Sequence, residues 1–173
     1  GEGYNTRILA RRGAKVVGVD FSEKLISFAR QGEVVEKSAI RYYILDASDM
    51  KEFPDDHFDL VTCFMSLQDI ENYEKAIAEI ARVLKNRGRF IFSIPHPCFE
   101  TITVKGKRMK VTDRYFETAK YPIQWSMERL ANPFRTTSFH RTLTDYSDAL
   151  SKSKLFISRL VEPKPTQKGL QEY

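Results

Sequence analysis

Gly1, Gly3, Asp20 and Asp46 are the residues whose types and spacing promise chemistry. Glycines let a backbone approach a ligand closely, and a carboxylate at a strand end is placed to accept ribose hydroxyls. A lone Gly-x-Gly is weak and more often just a turn, but a glycine loop followed by acids at two successive strand ends is the order of a nucleotide site. Asp49, Asp55, Asp56 and Asp59 lack that setting and read as solvated turns and caps. His96 and His140 are the titratable candidates, because imidazole changes charge near neutral pH. His96 stands between Pro95 and Pro97 at a strand's carboxyl end, the side on which open α/β sheets collect ligands. Histidines so placed more often only hydrogen-bond locally, and the candidate roles of both stand against that ordinary one. His57 lies in a turn. The 3 histidines and 2 cysteines show no ligand spacing, so no metal is expected.

These residues need elements to position them. Tyr4 to Arg12 reads as a helix stopped by Gly13, and Ala14 to Val19 as a buried parallel strand ending at Asp20. Ser22 to Gln31 is a second helix stopped by Gly32, and Ile40 to Leu45 a strand ending at Asp46. Phe58 to Met65 is the most apolar strand, followed by a loop from Ser66 to Asn72. Tyr73 to Leu84 has helical spacing, Lys85 to Arg89 ends it through Gly88, and Phe90 to Ile94 is the next strand. Helix and strand alternating at short intervals predict an α/β fold, a doubly wound, mostly parallel sheet with helices on both faces.

From 99 to 139 the rhythm changes. Thr101 to Val104, a Lys105-Gly106-Lys107 tip and Arg108 to Thr112 predict a β-hairpin, and Tyr115, Phe116, Tyr121, Trp125 and Phe134 follow it. This stretch reads as an inserted lid over an apolar substrate, with Lys105, Lys107, Arg108 and Lys110 as a solvated basic tip. Thr144 is the expected cap of a last helix, and Phe156 to Glu162 the expected last strand.

At 173 residues, 42% of them hydrophobic, one domain spanning 1–173 is expected. The net charge of +5 comes from 28 basic and 23 acidic residues interspersed, which permits an acidic partner without demanding one. Cys63 and Cys98 read as free thiols of a reducing compartment, and no apolar stretch approaches the roughly 18 residues of a membrane span, so a cytoplasmic location is expected. The chain opens inside a glycine motif without an initiator Met, and a strand that normally precedes such a loop is expected upstream.

Gly1-Glu2-Gly3, Val19-Asp20-Phe21-Ser22, Asp46-Ala47, Phe58-Asp59-Leu60-Val61, Arg82-Val83-Leu84-Lys85 and Gly88-Arg89-Phe90 stand in the order of class I S-adenosylmethionine-dependent methyltransferases. The chain resembles most the small-molecule type 11 group that includes quinone-biosynthesis enzymes, well from Gly1 to about Pro97. His140-Arg141-Thr142-Leu143 with Phe156 to Pro163 is similar to that family's last helix and sixth strand. The resemblance implies a Rossmann-like sheet, here lacking its first and seventh strands and apparently truncated at both ends. It implies S-adenosylmethionine as cofactor, with Gly1 and Gly3 beside its methionine part, Asp20 on the ribose, Phe21 by the adenine, and Asp46 with the Ala47 N–H on the adenine edge. Phe64, Met65 and Leu67 would line the wall near the transferred methyl.

Two departures stand out: Asn86-Arg87 replaces the family's usual Pro-Gly, and Gln68 a frequent His. Methyl transfer to a small molecule is the expected activity, with His96 as candidate base and Leu67, His96, Tyr115, Trp125 and His140 as candidate substrate contacts. Methylation of a tRNA base and a non-catalytic cofactor-binding or scaffold subunit are the alternatives. A dinucleotide oxidoreductase is disfavoured, because Thr6 stands where the Rossmann spacing needs a third glycine.

Overall fold

The computed structural model describes residues 1–36, 39–99, 101–104, 107–110, 114–125 and 134–164, with backbone alone for 101–104, 107–110, 123–125 and 134–135. In chain order the elements are α1 (Tyr4–Arg11), β1 (Val17–Asp20), α2 (Glu23–Glu36), β2 (Arg41–Ile44), β3 (Phe58–Phe64), a 3-10 turn (Leu67–Asp69), α3 (Tyr73–Val83) and β4 (Leu84–Ser93). A second 3-10 turn (Pro97–Phe99), the strands β5 (Thr101–Val104), β6 (Lys107–Lys110), β7 (Ala119–Trp125) and β8 (Phe134–His140), and α4 (Leu143–Lys152) complete it.

β1 and β2 pair in parallel from Val17 opposite Arg41 to Asp20 opposite Ile44, and β3 and β4 pair in parallel up to Phe64 opposite Ser93. The two parallel pairs exchange no ladder bonds. Side chains join them instead: Val17, Val19 and Tyr43 pack with Val61 and Phe90 on a cluster of Met50, Phe53, Ile80, Val83 and Leu84. α3 reaches this cluster because its apolar residues Ala76, Ile77, Ile80 and Val83 recur at helical spacing and are all buried. Leu67, Ile77, Tyr146, Ala149 and Leu150 make a second cluster, and Ile26, Ala29, Ile40 and Tyr42 a third under α2. Arg82 ties α3 to the preceding turn, donating to the Phe53 and Met50 carbonyls at 2.9 and 3.0 Å and pairing with Glu79 and Asp55.

The alternation of helix and strand is as expected, and four local expectations are corrected. α2 does not stop at Gly32 but runs on to Glu36, because Gly32 leaves room for the Arg7 side chain of α1. β4 starts at Leu84 directly after α3, and the step from Phe58–Leu84 to Leu60–Arg89 puts Lys85 to Gly88 in a bulge rather than a helix tail. α4 is capped by Thr142, not Thr144: its hydroxyl accepts from the Asp145 N–H while the Asp145 carboxylate accepts from the Thr142 N–H, a reciprocal box. Phe156 to Glu162 forms no strand; Phe156 and Leu160 are exposed, and an apolar run becomes a strand only where a neighbouring ladder takes its N–H and C=O groups. The hairpin of β5 and β6 lies where the turn chemistry placed it, while the antiparallel pair of β7 and β8 gives the aromatic stretch a ladder of its own.

Candidate active site

β1 and β2 end side by side, and the Leu45 N–H donates to the Asp20 carbonyl at 3.1 Å, so Asp20 and Asp46 leave the sheet on the same edge. Each carboxylate is fixed by its own chain. Asp20 Oδ1 accepts from the Ser22 N–H and Asp46 Oδ1 from the Ser48 N–H, both at 2.8 Å, in the aspartate turn that carboxylates favour after a strand. Gly1 lies against Asp20 Oδ2, so the glycine loop stands at the strand end. Gly3 is the N-cap of α1 at φ 86°, left-handed backbone that glycine adopts without strain, and no side chain caps that helix end. Phe21 is 80% exposed beside Asp20, Ala47 follows Asp46, and nothing stands within 4 Å of where a side chain on Gly1 would begin.

On the other parallel pair, β3 ends in exposed Phe64 and Met65, the latter at φ 51°, and the Met65 N–H donates to the Ser93 carbonyl at 2.9 Å. His96 follows three residues beyond Ser93. Its Nδ1 accepts from the Cys98 N–H at 3.2 Å, its Nε2 pairs with Glu162 at 3.2 Å, and its ring rests 4.8 Å from that of Phe99. Both ring nitrogens of this candidate base thus have partners within the chain, one of them the exposed Glu162 carboxylate.

Three further candidates take structural positions. Leu67 is fully buried in the second cluster rather than lining a surface. His140 is 2% exposed, with Nε2 2.9 Å from the Tyr115 carbonyl, and the Tyr115 hydroxyl accepts from the Leu143 N–H at 3.1 Å. These two residues hold the turn at Tyr115 to the end of β8 and the start of α4. The side chains of Trp125 and of the basic tip, Lys105 included, lie outside the described residues.

A methyltransferase domain model matches residues 1–92, more than half the chain and the part that carries Gly1, Gly3, Asp20, Asp46 and β3. The chain belongs to the methyltransferase domain family. Superposition on an S-adenosylmethionine-dependent methyltransferase of Mesorhizobium loti gives a TM-score of 0.76 at 26% identity, covering 99% of this chain and 78% of that one. A demethylmenaquinone methyltransferase of Clavibacter sepedonicus is 36% identical over 55% of this chain and 39% of its own length. An uncharacterised protein of Haemophilus influenzae is 28% identical over 94% of this chain and 67% of its own. The chain thus spans about two-fifths of the demethylmenaquinone enzyme.

Within this methyltransferase domain the structure shows residues that sequence reasoning passed over. Arg141 is 5% exposed; its guanidinium donates to the Leu67, Ile70 and Glu71 carbonyls at 3.3, 2.6 and 3.0 Å and lies 4.0 Å over the Tyr73 ring. It therefore holds the loop after β3 against β8. Asp69 in that loop is bonded by the Gln68 amide at 3.1 Å, and desolvation raises its carboxyl above the ordinary value against the pull of Ser138 and Gln68. Burial likewise pushes the Cys63 thiol up to about 11, so it is an inert core residue. The available signal for Arg141 was its place between a strand and a threonine cap. No described helix is long and apolar enough to cross a membrane.

Proposed function

We propose that this methyltransferase domain carries a methyl group from S-adenosylmethionine to a small, apolar acceptor. The observation that supports this most is the pair of carboxylates on adjacent parallel strand ends, each with one oxygen fixed by an N–H two residues on. Anchored in this way, Asp20 accepts the ribose hydroxyls and Asp46 the adenine amino group, beside the Ala47 N–H. The exposed Phe21 ring offers its face to the adenine, and Gly1, with open space beside it, leaves room for the methionine part, while the left-handed backbone of Gly3 turns the loop there. When bound, the cofactor supplies a sulfonium methyl open to in-line displacement. The chain aligns donor and acceptor and excludes water, with Phe64 and Met65 at the edge of β3 forming an apolar wall.

With both His96 nitrogens engaged, the favoured acceptor is one that gives its proton to water, such as an ionised ring hydroxyl, and an apolar ring like the demethylmenaquinone named for the C. sepedonicus relative suits the edge of Phe64 and Met65. The two parallel pairs belong to one doubly wound sheet, with a further strand between β1 and β3. Their shared side-chain cluster without shared ladder bonds supports that reading. Residues 99–139 act as a lid, held by the Tyr115 contacts.

Calorimetry on the full-length protein tests the reading. S-adenosylmethionine and S-adenosylhomocysteine bind, and Asp20→Ala abolishes binding while leaving the thermal midpoint within a few degrees. Absence of binding to the wild type overturns it, and labelled methyl found in RNA instead of small molecules overturns the acceptor class.

A further inference from the structure

Two glycines and one arginine make an arrangement that the proposed activity does not by itself require. The Arg7 guanidinium, on α1, lies between Gly3 at the end of the glycine loop and Gly32 in the middle of α2. A Cβ on Gly3 would stand 2.6 Å from Arg7 Nη1, and one on Gly32 would stand 2.9 Å from the same atom. Real Cβ atoms essentially never come so close, so a side chain at either position displaces the end of the arginine, and at Gly3 also the Tyr42 hydroxyl, which would stand 2.6 Å from the same Cβ. The guanidinium then does two things: Nη1 donates to the Glu2 carbonyl at 2.8 Å, and Nε lies 3.3 Å from Glu36 Oε1 at the end of α2. Arg11 holds the same Glu36 at 2.6 Å, fixing the carboxylate that fixes Arg7. A glycine inside a helix costs about 0.5–1 kcal/mol relative to alanine, and the Arg7 side chain fills the space that glycine leaves at position 32.

We propose that Arg7 is a positioning residue of the cofactor site: it ties the Glu2–Gly3 peptide to α2 and so sets the direction in which the glycine loop meets Asp20. This rests on the cofactor reading above. In this role the arginine acts through the Glu2 carbonyl. A lysine has one donor group where the guanidinium has a planar fork, and it cannot hold the Glu2 carbonyl and Glu36 in the same geometry.

A double-mutant cycle read by calorimetry with S-adenosylhomocysteine, each variant checked by thermal melting, tests this. Arg7→Ala weakens binding about tenfold, and Arg7→Lys recovers only part of the loss. Gly32→Ala is the decisive variant, since alanine favours the helix: its melting point is kept or raised, yet binding weakens because the arginine is displaced. Placed on the Arg7→Ala background, Gly32→Ala weakens binding no further. Equal weakening by Gly32→Ala with and without the arginine overturns the proposal, as does unchanged affinity in Gly32→Ala. Failure of the wild type to bind overturns the cofactor reading itself, and this proposal with it, which separates the two failures.

Discussion

Removing the Arg141 side chain should destabilise the protein more than any other single change outside the apolar core. Arg141→Ala deletes three hydrogen bonds to the Leu67, Ile70 and Glu71 carbonyls and the stacking over Tyr73. A hydrogen bond made by a charged group contributes about 1.5–3 kcal/mol, but the three share one guanidinium and their contributions do not add in full. The Leu67 bond is long at 3.3 Å, so two good bonds dominate. Carbonyls left without a partner under β8 add their desolvation. Breaking a buried charged contact costs about 3–5 kcal/mol in comparable settings, and we expect that range. For a chain of this size each kcal/mol moves the melting point by about 2–4 °C, so the loss is about 6–20 °C. Scanning calorimetry of the wild type, Arg141→Ala and Arg141→Met at pH 7 reads it. Methionine keeps contact with the rings but not the carbonyls, so it recovers only the packing share. A drop under 2 °C for Arg141→Ala, or full recovery in Arg141→Met, refutes the argument that the carbonyl contacts carry the loop.

Thr142→Ala breaks the reciprocal cap of α4 and should cost about 1 kcal/mol, read as a lower urea midpoint at unchanged slope; no change in midpoint refutes the cap. His96→Ala should keep most turnover with a quinol acceptor, because its nitrogens are spent on Cys98 and Glu162, and a loss of a hundredfold or more shows that the ring moves a proton after all. The hydrogen bond from Arg82 holds the Glu79 carboxylate below its ordinary value, so Glu79 contributes stability above the unfolded-state value that is lost as pH falls through the folded one. Glu79→Gln should therefore flatten the acid limb of a stability profile, and an unaltered limb rejects the pair as its cause. Folded protein at pH 8 should alkylate at Cys63 far more slowly than the unfolded chain, as a thiol at about 11 requires.

The elements of the half proposed to hold the cofactor were legible in the sequence because their signals are local. Glycines, a β-branched run and an acid lie within the first twenty residues, and each fixes its own short piece of backbone. Gly32 misled for an equally physical reason: read locally, a glycine after an apolar helix is a stop, and only the arrival of Arg7 from another helix makes it an interior residue. Thr142 and Thr144 could each have capped α4; the Asp145 carboxylate, in reach of the first and not of the second, decides between them. The candidate acceptor half was less readable because its contacts are long-range. Arg141 meets carbonyls some seventy positions earlier, and no spacing rule along the chain announces that. Leu67 and His140 stand out by where they fall in the chain, and their burial in three dimensions has no local signal either.

The side-chain cluster around Met50, Phe53 and Val83 acts as a spacer as well as a core. It packs on Val17, Val19 and Tyr43 of the strands that carry the carboxylates proposed for the donor, and on Val61 and Phe90 of the strands that carry the proposed acceptor wall. The distance a methyl group has to travel is therefore set from beneath, by residues that meet neither ligand, and an interior as close-packed as a crystal passes any change of volume there to both sides at once.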